Sequence, residues 1–146
     1  MSANTQPIFP LTPIVSWNTS AITTANTAKD GTGTVVTLAT GGLNGTRIDQ
    51  IKVRPLGTNV ATVMRFFINN GLANTTAANN ALVYEITCPS TTLSEVAALA
   101  DIDVLVYKGS EVYPPIQVLP TGYKLNVTIG TTVASGFSIV VSGGDF

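Results

Sequence analysis

Tyr123-Lys124-Leu125-Asn126-Val127-Thr128-Ile129 is the stretch that decides the fold. Tyr123, Leu125, Val127 and Ile129 alternate with Lys124, Asn126 and Thr128, the period-two pattern of a strand with one buried face. Phe137, Ile139 and Val141 repeat the pattern after a Gly-bounded loop at 130–136, and the chain closes on Gly143-Gly144-Asp145-Phe146. Upstream, Pro120-Thr121-Gly122 reads as a turn. Residues 116–119 follow Pro114-Pro115 and so read as an edge or bent strand. Further back, Ile102, Val104 and Val106 share a phase, as do Leu82, Tyr84, Ile86 and Cys88, and Val60, Thr62, Met64, Phe66 and Ile68. Ile51 and Val53 alternate with Gln50, Lys52 and Arg54, but Ile48 is out of phase with them, which predicts a bulge near Asp49. Residues 34–38 are rich in β-branched side chains and close at Gly41-Gly42, Asn69-Asn70-Gly71 is a turn, and residues 74–80 form a polar loop. One helical segment is expected: Thr92-Leu93-Ser94-Glu95 matches a capping box and continues to Leu99. About eight short strands joined by Gly, Asn and Pro predict an all-β antiparallel β-sandwich, jelly-roll-like.

The first 20 residues differ from the rest. Pro7, Pro10 and Pro13 oppose both helix and central-strand pairing and favour an extended course. The same segment is apolar, which a flexible tail would not require. Residues 1–20 are therefore read as an extended N-terminal arm on a single sandwich domain over residues 21–146. Ile8, Phe9, Pro10, Leu11, Pro13, Ile14 and Trp17 are its assembly-interface candidates. Two courses stay open at this point: packing on its own sheet, or lying in a groove of a neighbouring subunit.

Composition bounds the chemistry. Of the 146 residues, 45% are hydrophobic and only 10% charged, against about 25% charged in an ordinary soluble domain. Thr, Ser, Asn and Gly fill the gap. Few charges repel a neighbour, so such a surface suits a protein covered by partners. Seven cations in the whole chain cannot follow a phosphate backbone, so no nucleic-acid partner is expected. No apolar run reaches the ~18–20 residues of a membrane span. Residues 1–7 lack the basic-then-apolar order of a signal peptide, so synthesis in a cytoplasm is the expectation.

Catalytic groups are scarce. The absence of histidine removes the commonest general base and most triads and metal sites. Asp101 and Asp103, two apart on a strand, could share a cation, but they lack the further acids and the Gly turn of a calcium loop and read as solvated acids. Cys88, in apolar phase before Pro89, reads as an inert core thiol. The glycines at 31, 33, 41 and 42 do not open a helix, so they form turns and not a phosphate cradle. No enzyme, metal or cofactor is expected.

One resemblance rests on the C-terminal third. Val118-Leu119-Pro120-Thr121-Gly122-Tyr123-Lys124-Leu125, followed by Phe137-Ser138-Ile139-Val140-Val141-Ser142-Gly143-Gly144-Asp145-Phe146, resembles the ending of small β-rich structural proteins of tailed bacteriophages. Asp49 to Pro55 and Arg65 to Gly71 fit the same pattern. The resemblance implies a virion component of the head-decoration (cement) type. Such a protein would be a homo-oligomer, commonly a trimer, that binds the major capsid protein on the capsid exterior after synthesis in the host cytoplasm. A tail or baseplate component, or a glycan- or receptor-binding β-sandwich module, is the alternative reading.

Overall fold

The computed structural model describes residues 10–106 and 118–146. Among them are nine strands: β1 (Thr12–Trp17), β2 (Val36–Thr40), β3 (Thr46–Pro55), β4 (Thr62–Asn69), β5 (Asn80–Cys88), β6 (Ile102–Val106), β7 (Val118–Leu119), β8 (Lys124–Ile129) and β9 (Phe137–Asp145). Sheet A runs β1-β9-β3-β6, with β7 paired to the start of β3. Sheet B runs β2-β8-β4-β5. All these strand pairs are antiparallel. Successive strands cross from sheet to sheet except in the β4–β5 hairpin and at β6–β7. This is a jelly-roll β-sandwich.

The alternation in β8 and β9 does what period two requires. Leu125, Val127 and Ile129 from sheet B meet Phe137, Ile139 and Val141 from sheet A, and all six are fully buried. Ile51, Val53, Met64 and Phe66 complete the centre of the core. The expected bulge is present. Pairing steps from Ile48↔Gly143 to Gln50↔Ser142 and leaves Asp49 unopposed. That extra residue restores the phase, so Ile48 is buried together with Ile51 and Val53. Arg47 holds the bulged Asp49 by donating from Nε to its carboxylate at 2.7 Å.

Several local expectations are corrected. The short helical segment is a 3-10 turn at Ala77–Asn79, while residues 92–99 run as bends and irregular chain. Inside the expected box the Ser94 hydroxyl accepts from the Val96 N–H two residues on, a local turn and not a helix start. Val60 lies ahead of β4 and is exposed, so it does not share the Met64 and Phe66 face. A second bulge leaves Val83 unopposed and sets Leu82 opposite Phe67. Leu82 therefore leaves the phase of Ile86 and is partly exposed. Tyr107, Lys108 and residues 114–117 lie outside the described residues, as do Ile8 and Phe9 of the arm.

Sheet B is covered on its outer face as well over β4 and β8, while β5 stays largely exposed there. On its outer side Arg65, Phe67 and Asn69 of β4 and Asn126 and Thr128 of β8 are all buried. The β1–β2 connection crosses there: Gly31, at φ +76°, sits so close to the Phe67 ring and Asn80 that a Cβ could not be added without displacing them. Asn74 ties this connection to the β4–β5 loop by donating to the carbonyls of Gly31 (3.3 Å) and Gly33 (2.8 Å). Arg65 spends its Nε on Glu85 of the neighbouring strand at 2.8 Å. Many amides that composition alone assigns to the surface are thus internal loop staples, bonded to backbone that would otherwise be unpaired.

Candidate assembly surface

β1 pairs with β9 from Thr12↔Asp145 to Trp17↔Val140. The described part of the apolar N-terminal segment thus lies at the edge of its own sheet. Pro13, which has no N–H to give a ladder, is accommodated because β1 is an edge strand. Pro10 is half-buried and lies against Gly144, where even a Cβ would collide with its ring. Ser16 points inward and donates to the Leu38 carbonyl of β2, closing this side of the sandwich. Asn18 follows in the same phase, buried, and donates to the carbonyls of Ser20 (2.7 Å) and Phe137 (3.0 Å).

The opposite phase of β1 is apolar and open. Leu11 is 83% exposed, Val15 63% and Trp17 58%, with Pro13 exposed between them. At ~3.3 Å per residue this row is about 20 Å long. Val140, directly across from Trp17 on β9, is partly exposed and widens the row toward β3. The apolar surface stops at Lys52 and Arg54 of β3, which both pair with Asp101. Of the candidate residues, Leu11, Pro13 and Trp17 lie together on this face, while Ile14 and Pro10 are half-buried. Val15 and Val140 belong to the face and were not singled out from the sequence. The first was legible in the 11, 13, 15, 17 spacing. The second depends on the pairing of the first strand with the last.

The chemical inventory elsewhere is structural. Arg54 binds Asp101 with two parallel bonds, at 2.6 and 2.8 Å. Arg54 holds the Asp101 carboxyl below its ordinary range, chiefly through this hydrogen bonding. A depressed carboxyl contributes stability at neutral pH that is lost as pH falls through its folded-state value. This contribution is small, because the pair is exposed. Asp145 accepts from the Thr46 hydroxyl, and Asp30 from the Thr32 N–H and hydroxyl. Among the described residues no cluster of three His, Cys, Asp or Glu side chains could hold a metal ion.

Burial pushes the Cys88 thiol up to about 11. The nucleophile is the thiolate, so Cys88 is expected to stay unreacted toward Ellman's reagent at pH 8 in the native protein. It should react stoichiometrically in denaturant. Rapid native labelling would contradict the burial.

Compared with known protein families, curated proteins and solved structures, the chain matches none of them.

Proposed function

We propose that this protein is a virion structural protein of the head-decoration type, which forms a homo-oligomer and binds the major capsid protein lattice. The observation that carries this reading is the open apolar row Leu11, Pro13, Val15 and Trp17, extended by Val140. A jelly roll hosts capsid, lectin and enzyme domains alike, so the fold alone does not choose a function. An ordered strand that turns one whole apolar phase to solvent is a stronger pointer, because contiguous exposed apolar surface marks interaction sites. The scarcity of charge supports the same reading, as does the resemblance of the C-terminal third to small structural proteins of tailed phages.

The physics of such a contact is ordinary. Trp17 is the anchor, since aromatic side chains at the centre of an interface carry most of its energy. A stable contact removes about 800 Å² per partner. Repetition over a symmetric lattice then adds avidity without any single strong contact.

The test is co-sedimentation with heads built from the major capsid protein encoded alongside this chain, together with the solution mass of the free protein. An oligomer that sediments with heads is expected. Trp17→Ala should weaken capture at least ~30-fold, and Val15→Glu should weaken it comparably. Val15→Glu should leave the melting temperature within a few degrees of wild type, and Trp17→Ala, whose side chain is 58% exposed, should lower it by only a few degrees. A monomer that ignores heads at all salt concentrations would overturn the proposal, and so would undiminished capture of both variants.

A further inference from the structure

On the outer face of sheet B, away from the apolar row, a cleft of about 130 Å³ opens between the β4–β5 loop and strands β2 and β8. Asn126 and Lys124 of β8, Thr37 of β2, and Leu72, Ala73 and Asn74 of the loop line it. Asn126 is 2% exposed, and solvent still reaches its amide nitrogen. Its Oδ1 accepts from the Thr37 hydroxyl at 2.8 Å, while no described residue accepts from its Nδ2. An amide N–H that bonds only solvent at the wall of a cleft is open to a ligand acceptor in place of the water. Asn74 complements it. Its Nδ2 is committed to two carbonyls of the β1–β2 connection, leaving Oδ1 without a donor among the described residues. No described carboxylate pairs with Lys124, and Leu72 supplies an exposed apolar wall.

We infer that this cleft binds a single saccharide unit bearing a carboxylate. Donors and an acceptor converge within one small polar space. Sugar hydroxyls both donate and accept, so they match that mixture, which a bare anion would not. The ring's C–H face suits Leu72, and the ammonium of Lys124, which no described carboxylate pairs, selects the carboxylate. The volume corresponds to roughly four waters at ~30 Å³ each, which seats part of one ring and not an extended chain. Among the described residues no aromatic side chain lines the cleft, so stacked nucleobases are a poor fit. The cleft and the Leu11–Trp17 row lie on opposite faces of the sandwich. A protein seated through β1 would therefore still present the cleft outward.

The test is a titration of the full-length protein followed through its Asn side-chain amide resonances, with galacturonate, galactose and acetate as probes. Galacturonate is expected to shift the Asn126 and Asn74 amides with a dissociation constant on the order of 1 mM, a weak but ordinary value for one sugar. Galactose should bind about tenfold more weakly, since a charge-assisted hydrogen bond is lost. Lys124→Gln should erase the difference between the two sugars. Ala73→Phe, at an exposed position on the rim, should abolish both responses without changing the melting temperature. Equal response to acetate and galacturonate would overturn the saccharide assignment in favour of an acidic side chain from a partner protein. Absence of any Asn126 shift with either sugar, or full binding by Ala73→Phe, would overturn the site itself. None of these outcomes depends on capsid binding.

Discussion

Gly143→Ala is expected to destabilise the fold by about 3–5 kcal/mol, or to leave the protein insoluble. Gly143 lies in β9, opposite Ile48 of β3 and Ile14 of β1. A Cβ placed there would stand 1.9 Å from the Arg47 carbonyl oxygen and 3.0 Å from the Ile48 Cα. Both obstacles are backbone atoms, so no rotamer change relieves the clash. The bulge at Asp49 sits beside this contact, and β3 cannot withdraw without breaking its ladder to β9. A melting temperature lower by about 10–15 °C is the corresponding readout if the variant folds. Gly122→Ala is the control. Gly122 has φ +74° but nothing within 4 Å of its would-be Cβ, so only the left-handed backbone cost of roughly 1 kcal/mol applies. Equal effects of the two substitutions would contradict the close-approach argument.

Asn59→Ala is expected to cost about 3 kcal/mol or more. The Asn59 carboxamide is buried and makes three bonds to the β8–β9 loop. Its Oδ1 accepts from the Ser135 N–H (2.8 Å) and the Gly136 N–H (2.9 Å), and its Nδ2 donates to the Gly136 carbonyl at 2.9 Å. Truncation removes all three and leaves buried backbone groups unpaired, each worth about 1–3 kcal/mol. The main chain of Asn59 also exchanges two bonds with Thr91, so loosening this point frees two loops at once. Equilibrium urea unfolding measures the effect through the midpoint at unchanged slope. Asn44→Ala provides the contrast, since its amide makes one exposed bond of 3.3 Å to Phe146 and should cost less than about 0.5 kcal/mol. Comparable losses at the two positions would show that burial of the Asn59 amide is not the cause.

Both experiments bear on what could be read from the chain. The bulge at Asp49 was legible because Ile48 is out of phase with Ile51 and Val53, and only an inserted residue lets all three face inward. The helix expected from the capping box was not realised. Residues 92–99 bury little apolar surface, and a short helix without a packed face is marginal. The N-terminal segment was recognised as apolar and extended, but its outward row was only partly read. Leu11, Pro13 and Trp17 were singled out with Ile14, whose side chain turns the other way. The cleft was missed altogether. Asn69, Asn74 and Asn126 look like ordinary turn and surface residues until β2, β8 and the β4–β5 loop come together.

The sequence alone determined that this protein is all-β, where its principal strands lie, and which face of β8 and β9 is buried. Those properties follow from side-chain alternation along a single strand, which is a local quantity. Tertiary structure alone decided that β1 joins β9, that Val140 lies beside Trp17, and that buried asparagines tie loops far apart in the chain. Such facts depend on pairings between distant residues, selected by the free energy of the whole packed core and invisible to any local pattern.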